Sequence, residues 1–378
     1  MKRSHASARG SRLQALWGSP LRAPAAALWA GLVPLSLAYG GAMAVRAGFW
    51  RLFQRKIAGV RVVSIGNLTV GGNGKTPFTL YLASQLQRCG LRTAIVSRGF
   101  GGTCGGGPAV LVADGGRCFL NVREAGDEAV MMARTFTGPI AIAKRRAEAI
   151  ALLCQRGPLD VVVLDDAFQH LRLPRDLNLL LIGGQHGLGN GWVLPAGPMR
   201  ERMGAAARAD AVVVLSFDQS NDPPLSARQQ ATLGRRPILR ASLRPQALVY
   251  PEAERWRAEP AGSLANRRVL ALSAVADPRN FYAMLRAIDA DLVGVLEYPD
   301  HHDYSAADWR EIYRAAAEAD LVVTTEKDLV KLERFPFARG ELAALRLEVA
   351  MEEGEERLLA MVMKESAGNP TEILAGEK

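Results

Sequence analysis

The stretch Val63-Ser-Ile-Gly-Asn-Leu-Thr-Val-Gly-Gly-Asn-Gly-Lys-Thr-Pro77 decides how the rest of the chain reads. An apolar run breaks into glycines and closes on Gly74-Lys75-Thr76, in the order strand, phosphate-binding loop, helix start. The backbone N–H groups of such a loop, the Lys75 ammonium and the positive end of the helix all aim at a polyphosphate. Gly71, Gly72, Asn73, Gly74, Lys75 and Thr76 are therefore the predicted nucleotide contacts. The Thr76 hydroxyl falls where a magnesium ion bridging the phosphates would sit, or where a simple capping group would. The strict pattern G-x-x-x-x-G-K-[ST] wants glycine where this chain has Thr69.

Outward from the loop, short runs rich in Val, Ile and Leu recur, each followed by a longer helical stretch. They are Val60–Ile65, Thr93–Val96, Ala109–Val112, Ile140–Ala143, Val161–Leu164, Leu177–Ile182 and Ala211–Leu215. Apolarity that is continuous rather than alternating means strands buried on both faces, hence a mostly parallel sheet covered by helices. The expected fold is α/β and P-loop NTPase-like, with two α/β/α domains. At 378 residues the chain exceeds the usual size of one compact core. Residues 57–242 make the P-loop domain. The segment 243–266, with Pro245, Pro251 and Pro260, reads as an irregular connection, and 267–364 as a second α/β domain with runs at Val269–Leu272, Leu292–Leu296, Leu321–Thr324 and Leu345–Val349. Residues 365–378 read as a flexible tail.

The N-terminus carries a different signal. From Ala23 to Val45 no residue is charged, about the length that crosses a bilayer core. Residues 1–22 form a basic leader and 23–56 the membrane-associated helical segment. Five cations precede the apolar run and five follow it, so charge assigns no orientation. Pro34, Gly40 and Gly41 weaken a straight spanning helix, whereas Trp17, Trp29, Trp50 and Phe53 suit the headgroup level; lying on the membrane and spanning it are both open. The net charge of +9 suggests an anionic partner. Nucleic acid fits poorly, because aromatics are only 6% of the chain and no basic recognition helix is visible. Cys89, Cys104, Cys118 and Cys154 form no C-x-x-C pair, which argues against a zinc site or a disulfide scaffold.

Several constellations are able to carry chemistry. Val161–Leu164 ends in Asp165 and Asp166, as when a P-loop protein brings carboxylates to a metal from a neighbouring strand tip; strand ends also use aspartate to turn. Gly126-Asp127-Glu128 opens a helical run in which Asp127 is either a cap or a base that accepts a proton from an attacking hydroxyl. Pro299-Asp-His-His-Asp-Tyr304 follows a strand and sets His301 beside acids. Thr325-Glu-Lys-Asp328 begins at another strand end, with its role open. Arg200 reaches either a transferred phosphate or its neighbour Glu201.

Together these residues resemble the tetraacyldisaccharide 4'-kinase family. The carrying blocks are S-I-G-N-L-T-V-G-G-N-G-K-T-P at 64–77, S-R-G-F-G-G at 97–102, G-D-E at 126–128, L-D-D-A-F-Q-H at 164–170, L-P-A-G-P-M-R-E at 194–201, P-D-H-H-D-Y at 299–304 and T-E-K-D at 325–328. The Thr69 departure is shared by the family pattern. The resemblance implies transfer of the ATP γ-phosphate to the 4'-hydroxyl of a tetraacylated glucosamine disaccharide 1-phosphate lipid, with Mg2+, giving lipid IVA in lipid A biosynthesis. It implies Asp127 as general base, His301 as the histidine that modulates it, Lys75 on the phosphates, Thr76, Asp165 and Asp166 at the metal, and Arg200 with Glu201 as a polar pair near the nucleotide. It also implies a bacterial inner membrane location with the catalytic domains on the cytoplasmic face. The rival reading is a membrane-associated P-loop ATPase or GTPase that acts as a conformational switch; the chain shows no convincing N-K-x-D guanine signature.

Overall fold

The computed structural model describes Trp17 and residues 23–54, 59–72, 74–183, 187–217, 225, 227–252, 256–338 and 340–364. Most of the basic leader, Arg55, Lys56, Asn73, all of the Pro-rich stretch 218–224 and the tail 365–378 lie outside the described residues. Helix α1, Ala23–Leu52, leads to β1, Arg61–Asn67, and the glycine-rich loop into α2, Lys75–Arg88. Then come β2 (Thr93–Ser97), β3 (Val110–Asp114), β4 (Arg117–Cys118), α3 (Val122–Ala125), α4 (Asp127–Thr135), β5 (Ile140–Ile142), α5 (Arg146–Arg156), β6 (Val161–Leu164), β7 (Leu177–Gly183), β8 (Ala211–Ser216) and α6 (Ala227–Leu233). The second half runs β9 (Ile238–Tyr250), β10 (Arg257–Pro260), β11 (Arg268–Ser273), α7 (Arg279–Ala287), β12 (Asp291–Glu297), α8 (Ala306–Ala315), β13 (Leu321–Thr325), α9 (Glu326–Leu332), β14 (Leu342–Glu353) and α10 (Glu355–Met363).

The strands lie in one hydrogen-bonded order, β12-β11-β13-β14-β9-β8-β7-β1-β6-β2-β5-β3-β4, with β10 added to β9. Two parallel series, β9-β8-β7-β1-β6-β2-β5 and β12-β11-β13-β14, meet at the antiparallel pair β9/β14. Strands β6, β7 and β8 are buried throughout, as their unbroken apolar runs require.

The β9/β14 ribbon sets where the site falls. Strand β8 ends at Ser216 opposite Ser242, and β9 continues past it to Tyr250. Strand β13 ends at Thr325 opposite Leu345, and β14 continues back to pair Glu353 with Arg240. The ribbon thus crosses from the C-terminal ends of one parallel series to those of the other, and these two edges face one another. Strand C-terminal edges are where open α/β sheets bind ligands.

The segment expected to be an irregular connection is therefore partly strand. Pro245 is tolerated there because the register slips beside it, Arg346 pairing with Ala247 and Leu347 with Pro245. Such a bulge is where a sheet admits proline. The ends of the chain return to the first half: the Arg61 guanidinium donates to the Met361 carbonyl at 3.0 Å, and the Tyr81 hydroxyl bonds Glu355 at the start of α10. One apolar cluster extends from Val63 and Phe78 to Tyr304 and Leu358.

Helix α1 runs unbroken through Pro34, Gly40 and Gly41, and Gly31–Leu52 is long and apolar enough to cross a membrane. It touches the body along one side. The Ser36 hydroxyl donates to the Val193 carbonyl at 2.6 Å, and the Arg172 guanidinium lies 3.9 Å over the Trp50 ring. Leu35, Leu37, Val45, Phe49 and Leu52 are exposed.

Candidate active site

The glycine-rich loop enters α2 through Gly74, whose left-handed φ of 67° and a Leu215 methyl 2.4 Å from where a Cβ would sit leave no room for another residue. The loop's first half explains the Thr69 irregularity. Thr69 bridges Met199, Val70 N–H donates to the Pro198 carbonyl at 2.8 Å, and Arg200 N–H donates to the Leu68 carbonyl at 2.7 Å. A residue paired in this way needs no glycine freedom. The same pairing carries Arg200 to Asp166, its guanidinium 3.0 and 3.2 Å from the two carboxylate oxygens, while Lys75 Nζ lies 3.8 Å from Oδ1.

Asp165 and Asp166 follow β6, as predicted, and diverge. Asp166 sits in the left-handed region at φ 43°, a strained backbone for a non-glycine residue. Burial would raise its pKa, but the Lys75 and Arg200 charges prevail and lower it. Asp165 is 1% exposed and accepts a 3.0 Å hydrogen bond from the Thr79 hydroxyl, one turn into α2. Burial, then the Glu128 and Asp166 charges, push its carboxyl up to about 7. Two adjacent carboxylates, Asp165 buried and Asp166 partly exposed, with the Thr76 hydroxyl on the same cleft form a hard, oxygen-rich donor set. A divalent cation would relieve the repulsion between them. Among the described residues no three Asp, Glu, His or Cys side chains converge into a complete cage. Magnesium habitually takes only one or two carboxylates and completes its shell with phosphate and water.

The second cluster joins the two halves. Asp127 opens α4 after Gly126, whose φ is 87° and where a Cβ would lie 2.2 Å from the Phe100 carbonyl oxygen. Asp127 is the first residue inside the helix, and Gly126 holds the cap position. Oδ1 accepts the Glu128 N–H at 2.9 Å, and Oδ2 lies 3.1 Å from Nδ1 of His301. His301 stands in the loop after β12 with a left-handed φ of 61°. Its Nε2 faces Lys327 Nζ at 3.0 Å, and Lys327 also pairs with Asp300 at 3.2 Å. Burial would raise the Asp127 pKa; the His301 hydrogen bond and the Lys327 and Lys331 charges overcome it and hold the carboxyl below its ordinary value. The Asp127 hydrogen bond raises His301 despite its partial burial.

The first cluster, and His301 and Lys327 of the second, open on one cleft of about 1560 Å³, lined also by Gly71, Gly72, Gly74, Lys75, Thr76, Asp165, Asp166 and Arg200, with Asp127 buried behind His301. That exceeds what one small ligand fills and suits a nucleotide together with a second reactant. The expected polar pair is corrected. Glu201 is buried away from Arg200 and forms a two-pronged ion pair with Arg208, both distances 2.8 Å, with the guanidinium 4.8 Å over the Phe168 ring. Asn73 lies outside the described residues. Thr79, Lys327 and Lys331 were not assigned from sequence. Lys327 lies in the Thr325–Asp328 block whose role the sequence left open, and Thr79 left a trace as well, being four residues after Lys75 and so on its face of the helix.

The sequence profile of the tetraacyldisaccharide-1-P 4'-kinase family matches residues 28–365. The chain belongs to this family. It is accordingly a kinase of lipid A biosynthesis. Curated relatives named tetraacyldisaccharide 4'-kinase include one from Syntrophus aciditrophicus, 35% identical over 94% of this chain and 98% of its own. Another, from Rhodospirillum centenum, is 38% identical over 92% and 96%. Among solved structures, LpxK from Aquifex aeolicus, crystallised in complex with ATP, superposes with a TM-score of 0.73 at 29% identity, covering 89% of this kinase and 98% of that chain.

Proposed function

We propose that this kinase transfers the γ-phosphate of ATP to the 4'-hydroxyl of a tetraacylated glucosamine disaccharide 1-phosphate, with Asp127 as the base. The observation that carries the reading is the 3.1 Å contact between the buried Asp127 and His301, made across the two halves, with His301 lining the same cleft as Lys75, Asp166 and Arg200. A carboxylate held ionised by its surroundings and placed near a phosphate site is equipped to take the proton of an attacking alcohol. The new bond forms between the hydroxyl oxygen and phosphorus as the bond to the β-phosphate oxygen breaks. Lys75 and Arg200 stabilise charge on the transferred group. Thr76, Asp165 and Asp166 would hold magnesium, which supplies further charge neutralisation at the phosphates when bound. His301 donates to Asp127 and fixes its orientation.

The acceptor is a lipid, and the apolar outer side of α1 supports the reading that the cleft works at the cytoplasmic face of the inner membrane, where the substrate concentrates. The test mixes purified protein, magnesium, labelled ATP and the disaccharide 1-phosphate lipid. Label in the lipid is expected; magnesium-dependent loss of ATP with unlabelled lipid would overturn the reading in favour of a conformational ATPase.

A further inference from the structure

We propose that Lys331, held by Asp328, is the positioning residue that seats the Asp127 carboxylate, so that α9 completes the base from the opposite half of the molecule. This rests on the reading of Asp127 as the proton acceptor.

Asp328 is fully buried and firmly anchored. Its Oδ2 accepts the Ala274 N–H at 2.9 Å and the Thr325 hydroxyl at 2.8 Å, which leaves Oδ1 to face Lys331 Nζ at 3.0 Å. One helical turn separates these residues, so their side chains are neighbours on the same face of α9. Its side chain is 5% exposed, and its ammonium lies 3.6 Å from Asp127 Oδ2 and 5.5 Å from the centre of the Tyr304 ring. A lysine is almost never so buried unless paired. Here it stands between two buried carboxylates contributed by different halves of the chain, which would otherwise repel each other.

The oxygen it faces is the one that meets His301. Asp127 Oδ2 is thus fixed from two directions, and Oδ1, engaged once by Glu128 N–H, keeps a lone pair for the proton of the acceptor. The neighbouring Lys327 turns to the other side of the cluster, toward Asp300, His301 and Glu128. Both lysines of α9 bear on Asp127: Lys327 does so while also pairing with Asp300 beside His301, and Lys331 does so while spanning to Asp328. Without Lys331 two buried carboxylates, Asp127 and Asp328, would face each other, and one would take up a proton. A base protonated at rest accepts nothing.

The test uses the full chain and the labelled-lipid assay. Lys331→Met is expected to lower kcat by about tenfold to a hundredfold, the scale of a positioned general base partly disabled. KM for ATP should stay unchanged, the acid limb of the pH–rate profile should move to higher pH, and Lys331→Arg should recover part of the rate. In an Asp127→Ala background, Lys331→Met should cost nothing further, since it acts through that carboxylate. An unchanged kcat, or losses that multiply in the double variant, would overturn the proposal.

Should Lys331→Met fail to fold, Lys331→Met with Asp328→Asn removes both charges and keeps an acceptor for Ala274 N–H. That variant is expected to fold and turn over slowly; wild-type turnover would assign the pair to stability alone. If Asp127→Ala itself turned over normally, the base reading would fall and this proposal with it, an outcome distinct from a neutral Lys331.

Discussion

Two residues 174 positions apart in sequence, Asp127 and His301, set the expected behaviour of the site. Asp127→Ala should lower turnover by about 10²–10⁴-fold, the usual value of a positioned base, with ATP affinity little changed, because no phosphate contact is lost. Initial rates at saturating ATP check this; a loss confined to KM would count against the base. His301→Ala should cost less. It removes the hydrogen bond that, against burial, helps hold the Asp127 carboxyl low, so the acid limb of activity should shift to higher pH. The pair's stability follows the same directions. Asp127, depressed, contributes above the unfolded carboxylate pKa of about 3.9, and that contribution is lost as pH falls through its lower folded value. His301 is raised mainly by its bond to Asp127, so it contributes fully below about 6.5 and loses that contribution as pH climbs through its folded pKa. Thermal unfolding from pH 4 to 9 should therefore show an alkaline decline in the wild type that flattens in His301→Ala. An identical decline in both proteins would mean that the pair is not linked to folding.

At the scale of elements, the turn that launches α4 is the most constrained joint in the site. Gly126→Ala combines a positive φ with a Cβ driven against the Phe100 carbonyl, and should destabilise by about 2–4 kcal/mol while displacing the adjacent Asp127. Denaturant titration with parallel kinetics measures both effects. Glu201 behaves oppositely. Glu201→Ala leaves Arg208 buried without its carboxylate and should cost about 3–5 kcal/mol, yet the folded fraction should bind ATP normally. A raised KM for ATP at unchanged stability would restore Glu201 to the nucleotide site. These cases also show what sequence conveys. Lys75, Thr76, Asp165 and Asp166 were legible because a strand, a loop and a helix start place them by local geometry. Arg200 and Glu201 are neighbours whose side chains part toward Asp166 and Arg208, and adjacency carries no sign of that. Residues alone left Asp127 open between cap and base, since its partner arrives from another half of the fold; the resemblance chose, and the geometry joins the pair. Strand β9 escaped because Pro245 looks like a breaker until the bulge opposite β14 is seen.

At the scale of the whole molecule, the ribbon β9/β14 turns two strand edges toward one cleft, while α1 hangs its apolar side outward next to that cleft. Tyr39, Met43, Arg46 and Trp50 of α1 line the cleft itself, so the helix belongs to the site as well as to any membrane surface. Phe49 and Leu52 are exposed and are not among the residues lining the cleft. Placing each in an apolar phase is worth about 1.5–3 kcal/mol, so Phe49→Glu with Leu52→Glu should weaken binding to anionic phospholipid vesicles by roughly three orders of magnitude. Stability without lipid should change by no more than about 0.5 kcal/mol, because surface substitutions that break no packing rarely do more. Co-sedimentation and thermal unfolding separate the possibilities. A helix packed on a hidden part of the body would show the reverse pattern, with vesicle binding retained and the unfolding temperature lowered. Turnover in detergent micelles provides the last discrimination. If the outward face serves only the membrane, the double variant should phosphorylate detergent-dispersed lipid at the wild-type rate and lose activity only on vesicles, where the substrate must be reached from the surface.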